Sequence, residues 1–140
     1  MVANALFKVF MRVQIVVFRL TNGRAMSFMR GMPVLLLTTV GRKTGKRRTT
    51  PLMYIRDGEN YVITASNNGK DKDPYWYRNL KASPQVQIEV PGKRLDVSAS
   101  VATQTEHEQL WPRLVSEAPF FDGYRKGTSR SIPMVLLTPR

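Results

Sequence analysis

Strand-length segments follow one another along most of this chain, joined by turns too short for anything but antiparallel pairing. A continuous apolar run opens at Val34 and ends at residue 40, a Gly-bearing turn fills 41–45, and a second strand covers 47–55. The Asp57-Gly58 pair marks a hairpin turn before a third strand at 61–66. Residues 85–90 alternate polar and apolar, Pro91-Gly92 reverses the chain, and 94–101 return. A last strand follows at 133–138. Parallel neighbours would need connections of about a dozen residues. The pattern therefore predicts a mainly β, α+β protein: an antiparallel split β-barrel of six to seven strands, closed or half-closed, with a few peripheral helices.

Residues 4–20 carry helical periodicity. On a 100° wheel Lys8, Arg12 and Arg19 form a narrow polar stripe, with Phe7, Phe10, Val13, Val16, Val17 and Leu20 elsewhere, and Gly23 closes the segment. Two readings stay open: a helix packed on the domain with a wet stripe, or an interfacial helix resting on an anionic membrane. Asp73 as N-cap and Pro74 at the first helical position predict a short helix through Leu80. Thr105 and Glu108 fit a capping box that starts a helix toward Glu117, which Pro112 must kink or shorten. Residues 119–127 read as a loop rich in Gly and aromatics. The chain thus divides into an N-terminal helical segment, 1–30, and a barrel domain, 31–140.

Cysteine is absent and His107 is the one histidine. Thiolate catalysis, disulfides and zinc sites built on Cys or several His are excluded. His107 itself reads as a solvent-facing residue of the capped helix. Neither paired carboxylates nor a Ser-His-Asp order is present. Such a chain suits hydride transfer, in which a bound cofactor carries the difficult chemistry.

Charge points the same way. Lys and Arg number 22 against 10 acidic residues, a net +12 that favours an anionic partner. Five of those cations, Arg42, Lys43, Lys46, Arg47 and Arg48, surround the 41–45 turn. Glycine turns present concave arrays of backbone N–H groups, and Arg adds forked donors suited to phosphate or carboxylate. A Walker A loop does not fit: the Gly41-to-Gly45 spacing is one residue short, and Arg47 stands where magnesium needs a hydroxyl. Nucleic acid is the lesser alternative, because residues 41–50 hold no aromatic side chain on which a base could stack. Lys8, Arg12 and Arg19 interrupt the N-terminal apolar stretch, so neither a signal peptide nor a spanning helix is expected. The expected location is the cytoplasm, with the inner membrane face as a place of attachment.

Residues 36–45, then Arg48, Pro51-Leu52 and 56–58, continue through Ala65-Ser66, Pro74, Trp76-Tyr77, residues 79–82, Trp111-Pro112 and Ile132-Pro133. This set resembles the deazaflavin-dependent nitroreductase family, split-barrel reductases that use reduced coenzyme F420, and covers roughly residues 34–139. The resemblance implies a reductase of hydrophobic, electron-poor molecules: quinones, conjugated enones and lactones, and nitro compounds. FMN is the alternative cofactor within the fold. Position by position, Arg42, Lys43 and Thr44 would hold the cofactor's anionic tail. Arg48, Thr49, Thr50, Pro51, Leu52 and Met53 would run along the deazaflavin. Thr64, Ala65, Ser66 and Asn67 would border the ring and its sugar-like chain, and Tyr75, Trp76, Tyr77, Arg78 and Asn79 would close the far side. Tyr124 and Ser66 are the candidate proton donors. The chain departs from the family pattern at Met53, at Asn67, and at 118–124, where Ala118 and Phe121 replace hydroxyl-bearing residues. The pocket should be correspondingly apolar.

Overall fold

The computed structural model describes residues 2–140. Eight strands are present: β1 (Phe28–Met29), β2 (Met32–Val40), β3 (Arg47–Met53), β4 (Ile55–Asp57), β5 (Asn60–Thr64), β6 (Gln85–Val90), β7 (Lys93–Val101) and β8 (Met134–Pro139). All their pairings are antiparallel. The ladder runs β2-β6-β7-β8-β5-β4, with β1 and β3 also on β2. Only Tyr54 separates β3 from β4, so the stretch that pairs with β2 at one edge of the path pairs with β5 at the other. The sheet curls back on itself as the split barrel that the hairpin order predicts, with eight strands in place of six to seven: β1 adds a two-residue strand within the segment expected to be helical, and β4 splits from β3. The second predicted strand, 47–55, is interrupted at Tyr54, whose N–H turns to the Pro33 carbonyl at 3.1 Å.

Strand alternation divides the core in two. Leu35, Leu37, Ile63, Val86, Ile88, Val97, Val135 and Leu137 meet in one cluster, closed by Trp76, Tyr77 and Leu80 of α2 (Tyr75–Ala82). Their sequence neighbours Val62, Met134 and Leu136 face the other way, onto Leu110, Trp111 and Leu114 of α3 (Gln104–Glu117) and Phe121 of α4 (Phe120–Lys126). A period of two residues is what lets one strand feed two cores.

Helix signals were displaced in three places. Pro74, not Asp73, is the N-cap of α2, and no side chain caps it. Asp73 pairs instead with Arg130 at 3.0 Å. The capping box uses Thr103 and Glu106 rather than Thr105 and Glu108, and α3 continues through Pro112 to Glu117. The expected loop at 119–127 forms α4, stabilised by Asp122 pairs to Arg125 and Lys126 at 2.8 and 3.2 Å. His107 is not solvent-facing: its Nε2 bonds the Ile132 carbonyl at 2.8 Å and its ring stacks on Trp111.

The N-terminal helix α1 (Val2–Leu20) lies against β3 and ends at Gly23, whose N–H donates to the Phe18 carbonyl. Gly23 has φ +81°, and a Cβ there would sit 2.4 Å from the Pro91 Cα, so only glycine lets α1 approach the β6–β7 turn this closely. Arg19 leaves the predicted cationic stripe: it grips buried Glu89 through Nη2 at 2.8 Å and Nε at 3.1 Å.

Candidate functional site

Pro51 has no N–H to give a further partner, which suits β3 to a sheet edge. Along 47–53 the strand pairs with β2 alone, and its other edge borders a cavity of about 410 Å³. Thr50, Pro51, Leu52 and Met53 form one wall. Thr64, Ser66 and Asn67 form the second, and Tyr75, Trp76 and Arg78 the third. The resemblance nominated all ten of these residues. The Thr50 and Tyr75 hydroxyls are 2.6 Å apart, tying β3 to α2 across the cavity.

Other nominated residues stand behind these walls. Thr49 faces away from the cavity, with its hydroxyl 2.9 Å from that of Thr38 and within reach of Arg19. Ala65 is fully buried. Tyr77 belongs to the barrel core; burial raises its phenol above the ordinary value, the Asp73 carboxylate adds to this and Arg130 opposes it. Asn79 is 3% exposed and works as a bracket. Its Nδ2 donates to Thr39 at 3.2 Å, while its Oδ1 accepts from the Arg42 backbone N–H at 3.3 Å and side chain at 3.4 Å.

That bracket places the cationic turn beside α2. The Gly41 N–H donates to the Lys46 carbonyl and the Gly45 N–H to the Gly41 carbonyl, which closes the hairpin tightly. Arg42, Lys43, Thr44 and Arg48 are exposed on it and lie outside the cavity wall. An anion lying across the turn would be next to the cavity rather than inside it.

Tyr124 is displaced from its expected place. It lies outside the cavity wall, and its hydroxyl accepts from Arg30 Nη1 at 2.7 Å. The helix that carries it packs on the Asn67–Gly69 turn, where a Cβ on Gly69 would lie 3.2 Å from the Tyr124 Cα. Ser66 does line the cavity, at 8% exposure.

Several contributors escaped the sequence. Phe7, Phe10, Met11 and Gln14 of α1 and Met29 of β1 line the remaining side, where they meet Phe121 of α4, the apolar replacement that the resemblance placed at this pocket. Lys72, Asp73 and Pro74 extend the loop wall. Arg130 organises that loop from behind. Its guanidinium donates to the Lys70, Ala65 and Ser66 carbonyls at 2.8, 2.9 and 2.9 Å and to Asp73 at 3.0 Å. Nothing in the run Thr128-Ser129-Arg130-Ser131 marks that role. No group of three or more His, Cys, Asp or Glu suited to a metal ion is found among the described residues.

A split barrel with one open strand edge, an apolar cavity on that edge and a cationic hairpin beside it defines a cofactor-dependent oxidoreductase of the flavin and deazaflavin type. The chain belongs to the F420H2-dependent quinone reductase family, whose model matches residues 10–139. An F420H2-dependent quinone reductase of Mycobacterium tuberculosis, Rv1261c, is 43% identical over 135 residues, 93% of this chain and 90% of that protein. Among solved structures, an F420-H2 dependent reductase (FDR-A) is 37% identical with a TM-score of 0.69, covering 75% of this chain and 93% of its own. A second, described as a domain-swapped dimer, is 33% identical with a TM-score of 0.71 over 89% and 96% of the two chains. The family uses the deazaflavin, and the FMN alternative finds no support in it.

Proposed function

We propose that this chain reduces lipophilic quinones with reduced coenzyme F420, and conjugated enones or lactones of similar shape. The observation that carries this reading is the apolar cavity on the open edge of β3, with the cationic hairpin bracketed beside it by Asn79. The donor set suits the cofactor: cations for a polyanionic tail outside, and a largely apolar cavity for a ring inside. Arg42, Lys43 and Thr44 hold the tail, and Arg48, expected along the ring but exposed outside the cavity wall, joins them. Thr50 to Met53, Thr64, Ser66, Asn67, Tyr75, Trp76 and Arg78 border the ring. Thr49, Ala65, Tyr77 and Asn79 act through the walls they support. When bound, the reduced deazaflavin supplies a hydride. The proton comes from water or the Ser66 hydroxyl, since Ser66 lines the cavity and the Tyr124 phenol lies outside its wall. Parallel fluorescence titrations should give an F420 dissociation constant at least about tenfold below that of FMN, one charged hydrogen bond's worth. Equal or tighter FMN binding removes the reading.

The substrate class fits the outside of α1. Leu6, Val9, Val13, Val16 and Leu20 are between 48% and 81% exposed, a continuous apolar band turned away from the barrel. Lys8 and Arg12 flank it. A helix of this kind lies in a membrane interface, each cation adding about 1 kcal/mol near an anionic surface. No described helix is long and apolar enough to cross a membrane. The protein therefore rests on anionic lipid by α1, where lipophilic quinones dissolve. Co-sedimentation with vesicles of anionic lipid should be strong for the native chain, weaker on neutral lipid and lost in Val13→Asp/Val16→Asp with unchanged Tm. Binding indifferent to both lipid charge and the substitutions excludes this role. If the band instead seals a dimer, the native chain sediments at twice its mass without lipid and the variant does not.

A further inference from the structure

The arc of α1 that faces the barrel holds one residue out of place. On the helical wheel Gln14 falls about 40° from Phe18 and roughly 120° or more from Lys8, Arg19 and Arg12. It is 2% exposed and lines the cavity. Most other buried polar side chains have partners inside the protein: Thr38 with Thr49, Thr39 with Asn79, Thr50 with Tyr75, and Glu89 with Arg19. The small hydroxyls of Ser27 and Ser66, 7% and 8% exposed, share the lack of a side-chain partner, but Gln14 buries a whole amide at 2%. The Gln14 amide bonds none of the described residues. Burying an amide without a partner is costly, and cores avoid it unless something else completes the bond. Trp111 Nε1 is the one fully sealed side-chain polar atom lacking a partner among the described residues. Gln14 differs in that its amide borders open space.

The position of that amide indicates what completes the bond. β3, the 64–67 segment and α2 provide the walls assigned above to the cofactor. Gln14 belongs to the remaining side, where its companions Phe7, Phe10, Met11, Met29 and Phe121 have no hydrogen-bonding side-chain N–H or O–H. A quinone lying there would bury a carbonyl oxygen that requires a donor. We infer that the Gln14 Nε2 donates a hydrogen bond to a quinone carbonyl oxygen, fixing the ring and holding the charge that develops there during reduction. This rests on the quinone-reductase reading. In the step, a hydride delivers two electrons and one proton to the quinone. The oxygen held by Gln14 carries the resulting negative charge, a proton from water completes the hydroquinone, and the cofactor is oxidised by the same two electrons.

The test compares the native chain with Gln14→Leu, using menadione as the quinone. Without cofactor, quenching of tryptophan fluorescence should show menadione binding about ten- to hundredfold weaker in the variant, the loss expected when one buried oxygen is left unpaired. Turnover of menadione with reduced F420 should fall in kcat/KM by a similar factor. F420 affinity should not change, and Tm should stay level or rise, because an unpaired amide has been removed. Infrared difference spectra of ¹³C-labelled menadione should show a lowered carbonyl stretch in the native complex that is absent in Gln14→Leu. A residue that merely packs would give the reverse pattern: lower Tm with unchanged menadione binding and carbonyl stretch, which overturns the inference. Weaker F420 binding with unchanged menadione binding also overturns it, placing the amide on the cofactor. A native chain that neither binds nor reduces menadione overturns the underlying quinone reading as well.

Discussion

Arg130→Met is expected to lower stability by about 3 kcal/mol and to reduce kcat/KM for quinone reduction far more than any exposed substitution. The guanidinium is only 15% exposed and makes four bonds, to the Lys70, Ala65 and Ser66 carbonyls and the Asp73 carboxylate. Methionine fills similar volume, so the loss is mainly polar. Hydrogen bonds to charged groups contribute about 1.5–3 kcal/mol each, but they are not additive, and the Asp73 carboxylate is 38% exposed, so solvent screens the ion pair itself to about 1 kcal/mol or less. The backbone carbonyls freed by the change border the cavity wall at Ser66, so the wall loosens where a reacting ring would rest. Arg130→Lys should recover little, because a single ammonium reproduces one bond of the fork. Urea denaturation and steady-state kinetics on the same preparation check both effects. Native-like stability together with native-like kinetics in Arg130→Met would show that the loop holds its shape unaided.

Arg42→Ala/Lys43→Ala should weaken F420 binding by at least about tenfold while leaving the fold intact. Both side chains are exposed, and the one Arg42 side-chain contact to Asn79, at 3.4 Å, is long enough for the guanidinium to be recruited by an incoming anion. Charged hydrogen bonds to a phosphate or carboxylate are worth about 1.5–3 kcal/mol each, reduced here by solvent. The difference between native and variant should shrink as salt rises, because exposed charges are screened over roughly 8 Å at physiological ionic strength. Lys93→Ala, in the β6–β7 hairpin, serves as the control and should change nothing. A double variant that binds F420 as the native chain does would reduce the cationic turn to a solvated hairpin tip.

Hairpin order, the turn at 41–45 and its cations were legible in the sequence, and so were the ten cavity-wall residues that the family motif nominates. Those features are written in neighbouring residues: strands through alternation, turns through glycine, the cationic turn through charge density. Local signals also misled. Thr105 and Glu108 have the spacing of a capping box, yet Thr103 and Glu106 satisfy the same geometry two residues earlier and win. Asp73-Pro74 looks like a helix start, but the Asp73 carboxylate gains more from Arg130 than from an exposed N–H.

The sequence alone determined the class of fold, the place of the cationic turn, and the exclusion of thiol and multi-His metal chemistry. Only the tertiary structure decided which residues meet. Arg19 reaches Glu89 across 70 residues, and Arg130 reaches Ala65 across 65. Neither pairing has a periodicity or motif, because each exists only once the barrel has closed and brought distant segments within 3 Å or so. The same closure turned Gln14 toward the cavity, took Tyr124 to Arg30, and left the apolar band of α1 facing outward. Sequence patterns report what each segment prefers by itself; the choice among partners belongs to the packed state, where most buried polar groups find a partner in the protein, in water or in a ligand.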